Sequence, residues 1–107
     1  WMQDFTRRIA MKAEIIEEIS RYIALDKNSL LDKGIESLLK EKKRGVMLDR
    51  LEILSRYKVS SAEELEKKIR EGEIEEHPAW EDLIALENLD SALEKINGYL
   101  ASLSAST

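Results

Sequence analysis

Leu86, Leu89, Leu93, Ile96, Leu100 and Leu103 recur at intervals of 3, 4, 3, 4 and 3 residues, the spacing that lays one apolar seam along a helix. Such a seam demands a partner, which the chain's own earlier helices, another subunit or a different protein can supply. Little elsewhere interrupts helix formation. The 107 residues contain one Pro and four Gly, and Leu, Ile, Glu, Lys and Ala dominate, so a mainly α protein is expected. At 43% apolar residues, the chain can build one modest core, or a small domain with an appended arm.

The N-terminal stretch supports two readings. Phe5, Ile9 and Met11 fall on one side of a strand and Thr6, Arg8 and Ala10 on the other, before Ile15, Ile16, Ile19, Tyr22 and Ile23 take up the helical spacing. A lone strand leaves its N–H and C=O groups unpaired, so a strand at Phe5–Met11 implies a homodimer with an antiparallel two-stranded ribbon. The alternative is an all-α bundle with a continuous first helix. In it Met2, Phe5, Ile9, Ile16, Ile19 and Ile23 form one stripe, interrupted only by Lys12. After a break near Asp26-Lys27, Asn28 and Ser29 offer side-chain oxygens to cap a second helix running from about Ser29 to Lys43. Gly34 inside that helix points to a close approach by another backbone, and Gly45 punctuates the chain.

The succession Ile9-Ala10-Met11, Glu14-Ile15-Ile16-Glu17-Glu18-Ile19 and Lys27-Asn28-Ser29-Leu30-Leu31-Asp32-Lys33-Gly34-Ile35 resembles the ribbon-helix-helix DNA-binding family of repressors and antitoxins. Arg7 stands where that family usually has an aliphatic strand residue, and Lys12-Ala13 provides no cap for the first helix. The resemblance implies a dimerisation and DNA-binding module over residues 1–45, followed by a helical extension over residues 46–107. The function it implies is a homodimeric DNA-binding repressor, an antitoxin that also binds a toxin through its C-terminal helices. The rival is an all-helical interaction or scaffold protein that binds no nucleic acid.

In the ribbon reading, Thr6, Arg8 and Ala10 face the major groove. Arg8 would read guanine O6 and N7, Thr6 a base edge or phosphate, and Ala10 at most a thymine methyl. Arg7 would touch phosphate at the ribbon edge. Lys27 and the N–H groups of Asn28 and Ser29 would clamp another phosphate at a helix N-terminus, as the family resemblance also implies.

Charge divides along the same line. Residues 1–45 hold ten Lys/Arg against eight Asp/Glu, and residues 46–107 hold seven against fourteen. A mildly basic end joined to an acidic arm suits DNA contact at one end and a protein partner at the other. Within the arm, Val46–Tyr57 read as helix, Ser60-Ser61-Ala62-Glu63-Glu64 as a capping box and Gly72 as a stop. Pro78 opens the last helix. Trp80, Leu83, Leu86, Leu89, Leu93, Ile96 and Leu100 are the candidate partner-binding residues, with Trp80, Leu83 and Ile84 on a face separate from the seam. The stretch from Tyr57 to Leu89 is similar to C-terminal regions of short archaeal antitoxin-like proteins.

No catalytic constellation, cofactor motif or metal-ligand cluster is legible. With one His and no Cys, thiol chemistry is excluded, and His77 beside Glu75, Glu76 and Asp82 reads as a solvated helix cap. The expectation is a non-enzymatic cytoplasmic protein without a membrane span. Abundant Glu and Lys hint at a thermophilic source.

Overall fold

The structure, a computed structural model, describes residues 2–105. It consists of four helices, α1 (Met2–Tyr22), α2 (Lys27–Tyr57), α3 (Ala62–Arg70) and α4 (Glu76–Ala105), and no strand occurs among the described residues. Residues 1–37 and 38–107 form two compact units. α2 belongs to the first up to Ser37 and to the second from Leu38.

The N-terminal strand expected at Phe5–Met11, and with it the ribbon-helix-helix fold, is overturned, because these residues lie inside α1. A helix satisfies its own backbone groups, whereas a strand here needs a second chain. No Gly or Pro interrupts residues 2–22. Even Thr6, a strand-favouring residue, is accommodated, its hydroxyl donating to the Met2 carbonyl at 2.9 Å. Lys12-Ala13 lacks a cap because the helix is already under way there.

α1 ends in a Schellman turn. The Leu25 N–H reaches the Ser20 carbonyl at 3.0 Å and the Ala24 N–H the Arg21 carbonyl at 3.3 Å, with Ala24 at φ 57°. Asp26, rather than Asn28 or Ser29, then caps α2. Its carbonyl accepts the Leu30 N–H at 2.9 Å and its carboxylate the Ser29 N–H at 2.8 Å. α2 runs through Gly45 without a break, so the two helices expected over Ser29–Lys43 and Val46–Tyr57 are one. A Gly ends a helix only where the chain turns into the left-handed region, and here the helix continues at a cost of about 1 kcal/mol relative to Ala. Among the described residues nothing lies within 4 Å of where a Cβ of Gly34 would stand, so the close approach that this glycine suggested is not seen among them.

In the second unit, Lys58 (φ 55°) and Gly72 (φ 78°) end α2 and α3 in the same turn geometry as Ala24. Ser61 caps α3, its Oγ accepting the Glu64 N–H at 3.1 Å, while the Glu64 carboxylate accepts the Ser60 N–H and hydroxyl, each at 2.7 Å. The i, i+3, i+7 spacing of Ala62, Leu65 and Ile69 turns one face of this short helix inward. That face meets Ile53, Leu54, Val59, Ala79, Leu83 and Leu86 in a single core, in which Leu65, Ala79 and Leu86 are fully buried. Trp80 packs on its edge, with the Arg70 guanidinium 5.8 Å above its ring.

Polar contacts tie α2 to α4. Arg50 Nε donates to Asp90 Oδ1 at 2.6 Å and Arg56 to Asp82 Oδ2 at 3.0 Å, and the Tyr57 hydroxyl donates to the same Asp82 oxygen. Burial, then the Asp82 carboxylate, holds the Tyr57 phenol above its ordinary range. His77 departs from helical dihedrals where α4 begins, and its bond to Pro78 is cis.

Candidate functional site

The second unit covers much of the surface of the candidate partner-binding residues of α4. Leu83 and Leu86 lie in its core, Ile96 is also buried, and Trp80, Leu89, Leu93 and Leu100 are half-buried. These residues were candidates for partner binding, but the chain's own side chains cover them to this extent. Leu83 sits with Leu86 rather than on a face of its own, and Ile84 alone of the expected separate face remains exposed.

α1 is the opposite case. Met2, Phe5, Ile9, Ile16, Ile19 and Ile23 keep between 44% and 69% of their surface exposed. The one buried residue of α1 is Ser20, whose hydroxyl donates to the Leu25 carbonyl. Helical geometry, at 100° per residue, lines the six apolar residues into one stripe with Lys12 at its middle. Met11, Ile15 and Tyr22 are exposed beside it. A large uncovered apolar stripe is a recognised mark of an interaction surface.

The residues assigned to DNA contact do not form the ribbon face expected of them. Thr6, Arg7, Arg8 and Ala10 are all exposed on α1. Positions two apart on a helix differ by about 200°, so Arg8 points away from Thr6 and Ala10 instead of joining them. At the start of α2 the Asp26 carboxylate already occupies the Ser29 N–H, with the Ser29 hydroxyl on its other oxygen at 3.2 Å. These hydrogen bonds, the Ser29 backbone first, hold Asp26 below its ordinary range, so a phosphate there would have to displace a carboxylate. Lys27 instead faces Glu17 in an exposed pair at 3.8 Å.

A second apolar surface lies on α2, at a face whose helical spacing is legible in the sequence but whose exposure is not. Met47, Leu48 and Leu51 stay exposed and, with Leu54 and Leu93, floor a groove of about 650 Å³ rimmed by Lys40, Lys43, Arg44 and Arg50. The sequence signal is the helical spacing of Met47, Leu51 and Leu54 beside the cations Lys40, Lys43 and Arg44. Among the described residues no group of three or more His, Cys, Asp or Glu side chains is placed to hold a metal ion. His77 Nδ1 lies 3.0 Å from Glu81 on the exposed start of α4. No helix among the described residues is long and apolar enough to cross a membrane.

Four helices around one small core, with apolar residues exposed along α1, define an all-α protein. A family model described as "Uncharacterized protein MJ0235 family" matches residues 11–107, and the chain belongs to that family. No curated protein and no solved structure matches it.

Proposed function

We propose that this chain is a cytoplasmic helical protein–protein interaction module, in which α1 is the docking element and residues 38–107 are a self-contained helical core. The observation that carries this reading is the contrast in exposure. Leu65 and Leu86 are fully buried, while Phe5, Ile9 and Ile16 on the α1 stripe keep 60%, 54% and 44% of their surface. Most of the stability of a helix in a protein comes from packing of its apolar face rather than from propensity. Covering the stripe with another helix would both stabilise α1 and remove the apolar surface from water. The reading includes no nucleic-acid contact, because the ribbon that would have read bases is replaced by helix.

The test compares the full-length chain with a variant carrying Ile9→Glu and Ile16→Glu, each immobilised and exposed to native extract and to the untagged chain itself. The wild type should retain a protein, whether a copy of itself or another chain, that the variant loses, while the unfolding transition of residues 38–107 stays unchanged. Equal retention by both, or none by either, would refute the docking role of α1.

A further inference from the structure

The charges along α1 identify what its stripe fits. Met2, Ile9, Ile16 and Ile23 occupy one core position of a heptad, and Phe5, Lys12 and Ile19 the other. Residues 2–12 carry Asp4 against Arg7, Arg8 and Lys12, whereas residues 13–22 carry Glu14, Glu17 and Glu18 against Arg21. The first half of the helix is therefore basic and the second half acidic. We propose that the α1 stripe is the interface of an antiparallel helix pair with α1 of a second copy of this chain. This rests on the reading of α1 as a docking helix and names its partner.

Orientation follows from where the charges would fall. In a parallel, in-register pair, Lys12 would meet Lys12 of the partner subunit inside the seam, and the two basic halves would lie side by side. Like charges so placed destabilise the pair. Antiparallel pairing about a two-fold axis at the level of Glu14 instead stacks Phe5 on Ile23 of the partner subunit, Ile9 on Ile19 of the partner subunit and Lys12 on Ile16 of the partner subunit.

The Lys12 stem then covers an isoleucine while its ammonium extends toward Glu17 of the partner subunit. Arg8 lies near Glu18 of the partner subunit, and each basic half runs along an acidic one. The same arrangement accounts for apolar residues off the main stripe. Ile15, 52% exposed, would meet its own copy beside the axis. Tyr22, 91% exposed, would lie by Arg8 of the partner subunit, within reach of a cation–π contact. Ala13 faces its own copy on the other side of the axis, and its small side chain permits a close approach.

The 107-residue chain has no cysteine, so single-cysteine variants of it report contacts without ambiguity. Antiparallel pairing puts the two copies of residue 13 near each other and separates the two copies of residue 9 by about 15 Å along the axis. Sedimentation equilibrium of the wild type should give the mass of two chains. Under mild oxidation Ala13→Cys should form a disulfide-linked dimer at least ~10-fold faster than Ile9→Cys, since a disulfide requires Cα atoms within about 7 Å. Faster cross-linking of Ile9→Cys would overturn the antiparallel arrangement while leaving α1 as a docking helix. A single-chain mass at all concentrations up to ~100 μM would overturn the second copy as partner. The extract experiment would then decide the docking role separately.

Discussion

Leu65→Ala and Ile16→Ala each shorten one aliphatic side chain, yet the structure assigns them opposite consequences. Leu65 is fully buried in the core joining α2, α3 and α4. Its truncation forfeits roughly 2–2.5 kcal/mol of transfer free energy, and the cavity left behind raises the total to about 3–4 kcal/mol. A unit of about 70 residues has a stability of roughly 4–10 kcal/mol. The variant should therefore lose a large part of it, visible in urea melts followed by far-ultraviolet circular dichroism as a lower midpoint with an unchanged slope.

Ile16 keeps 44% of its surface exposed, and its replacement should shift the same transition by no more than about 0.5 kcal/mol. Its effect falls on association instead. A dimer holds two copies, each contributing about 1–2 kcal/mol, so self-association measured by sedimentation should weaken by at least ~30-fold. A loss under about 1 kcal/mol for Leu65→Ala, or a core transition equally sensitive to Ile16→Ala, would refute the division of labour between core and docking helix.

Further perturbations address single features. Gly45→Ala and Lys58→Gly should each stabilise the second unit, by on the order of 1 kcal/mol in thermal or urea unfolding. The first gives an open helical position a better helix former, and the second relieves a non-glycine residue at φ 55°. Ser61→Ala should cost about 1 kcal/mol, because the Glu64 N–H at the start of α3 loses its acceptor. Glu64 is held below its ordinary carboxylate range by the Ser60 hydroxyl first and the Ser60 N–H second. Its contribution is therefore present above its unfolded pKa and lost as pH falls through its folded one. Melting temperatures measured from pH 6 down to pH 3 should drop less steeply in Glu64→Gln than in the wild type. Lys12→Leu should tighten self-association by at least ~30-fold by completing the apolar seam, and should also relax the preference for antiparallel pairing.

The elements that were legible in the sequence are those whose signals are local. The capping box within Ser60–Glu64 and the stop at Gly72 could be read directly, because capping and positive φ act within a few residues, although the spacing fits Ser60 with Glu63 as well as Ser61 with Glu64. The 3-4 seam of α4 was equally plain, but periodicity cannot say what covers a stripe. Tertiary packing decided that Leu86 and Ile96 of that seam are buried by the chain itself.

At Phe5–Met11, alternation with period two and a stripe with period 3.6 coexist. The strand would have needed hydrogen-bonding partners from outside the chain, and the helix needed none. The cap of α2 was placed two to three residues late because Asp26, Asn28 and Ser29 all carry capping oxygens. Only the three-dimensional course after Ala24, in its left-handed conformation, selects Asp26. The α2 groove was not legible because the spacing of Met47, Leu51 and Leu54 is the same whether that face is buried or left open between cations.

Amide hydrogen exchange across α1 at two protein concentrations tests the central claim most directly, namely that the α1 stripe is covered by another copy of α1. In a monomer–dimer equilibrium the monomer fraction falls as the square root of concentration. Raising the chain from ~5 to ~500 μM should therefore slow exchange at Ile9 to Ile19 by about 10-fold while leaving Leu65 and Leu86 unchanged. Identical exchange rates along α1 at both concentrations would contradict it.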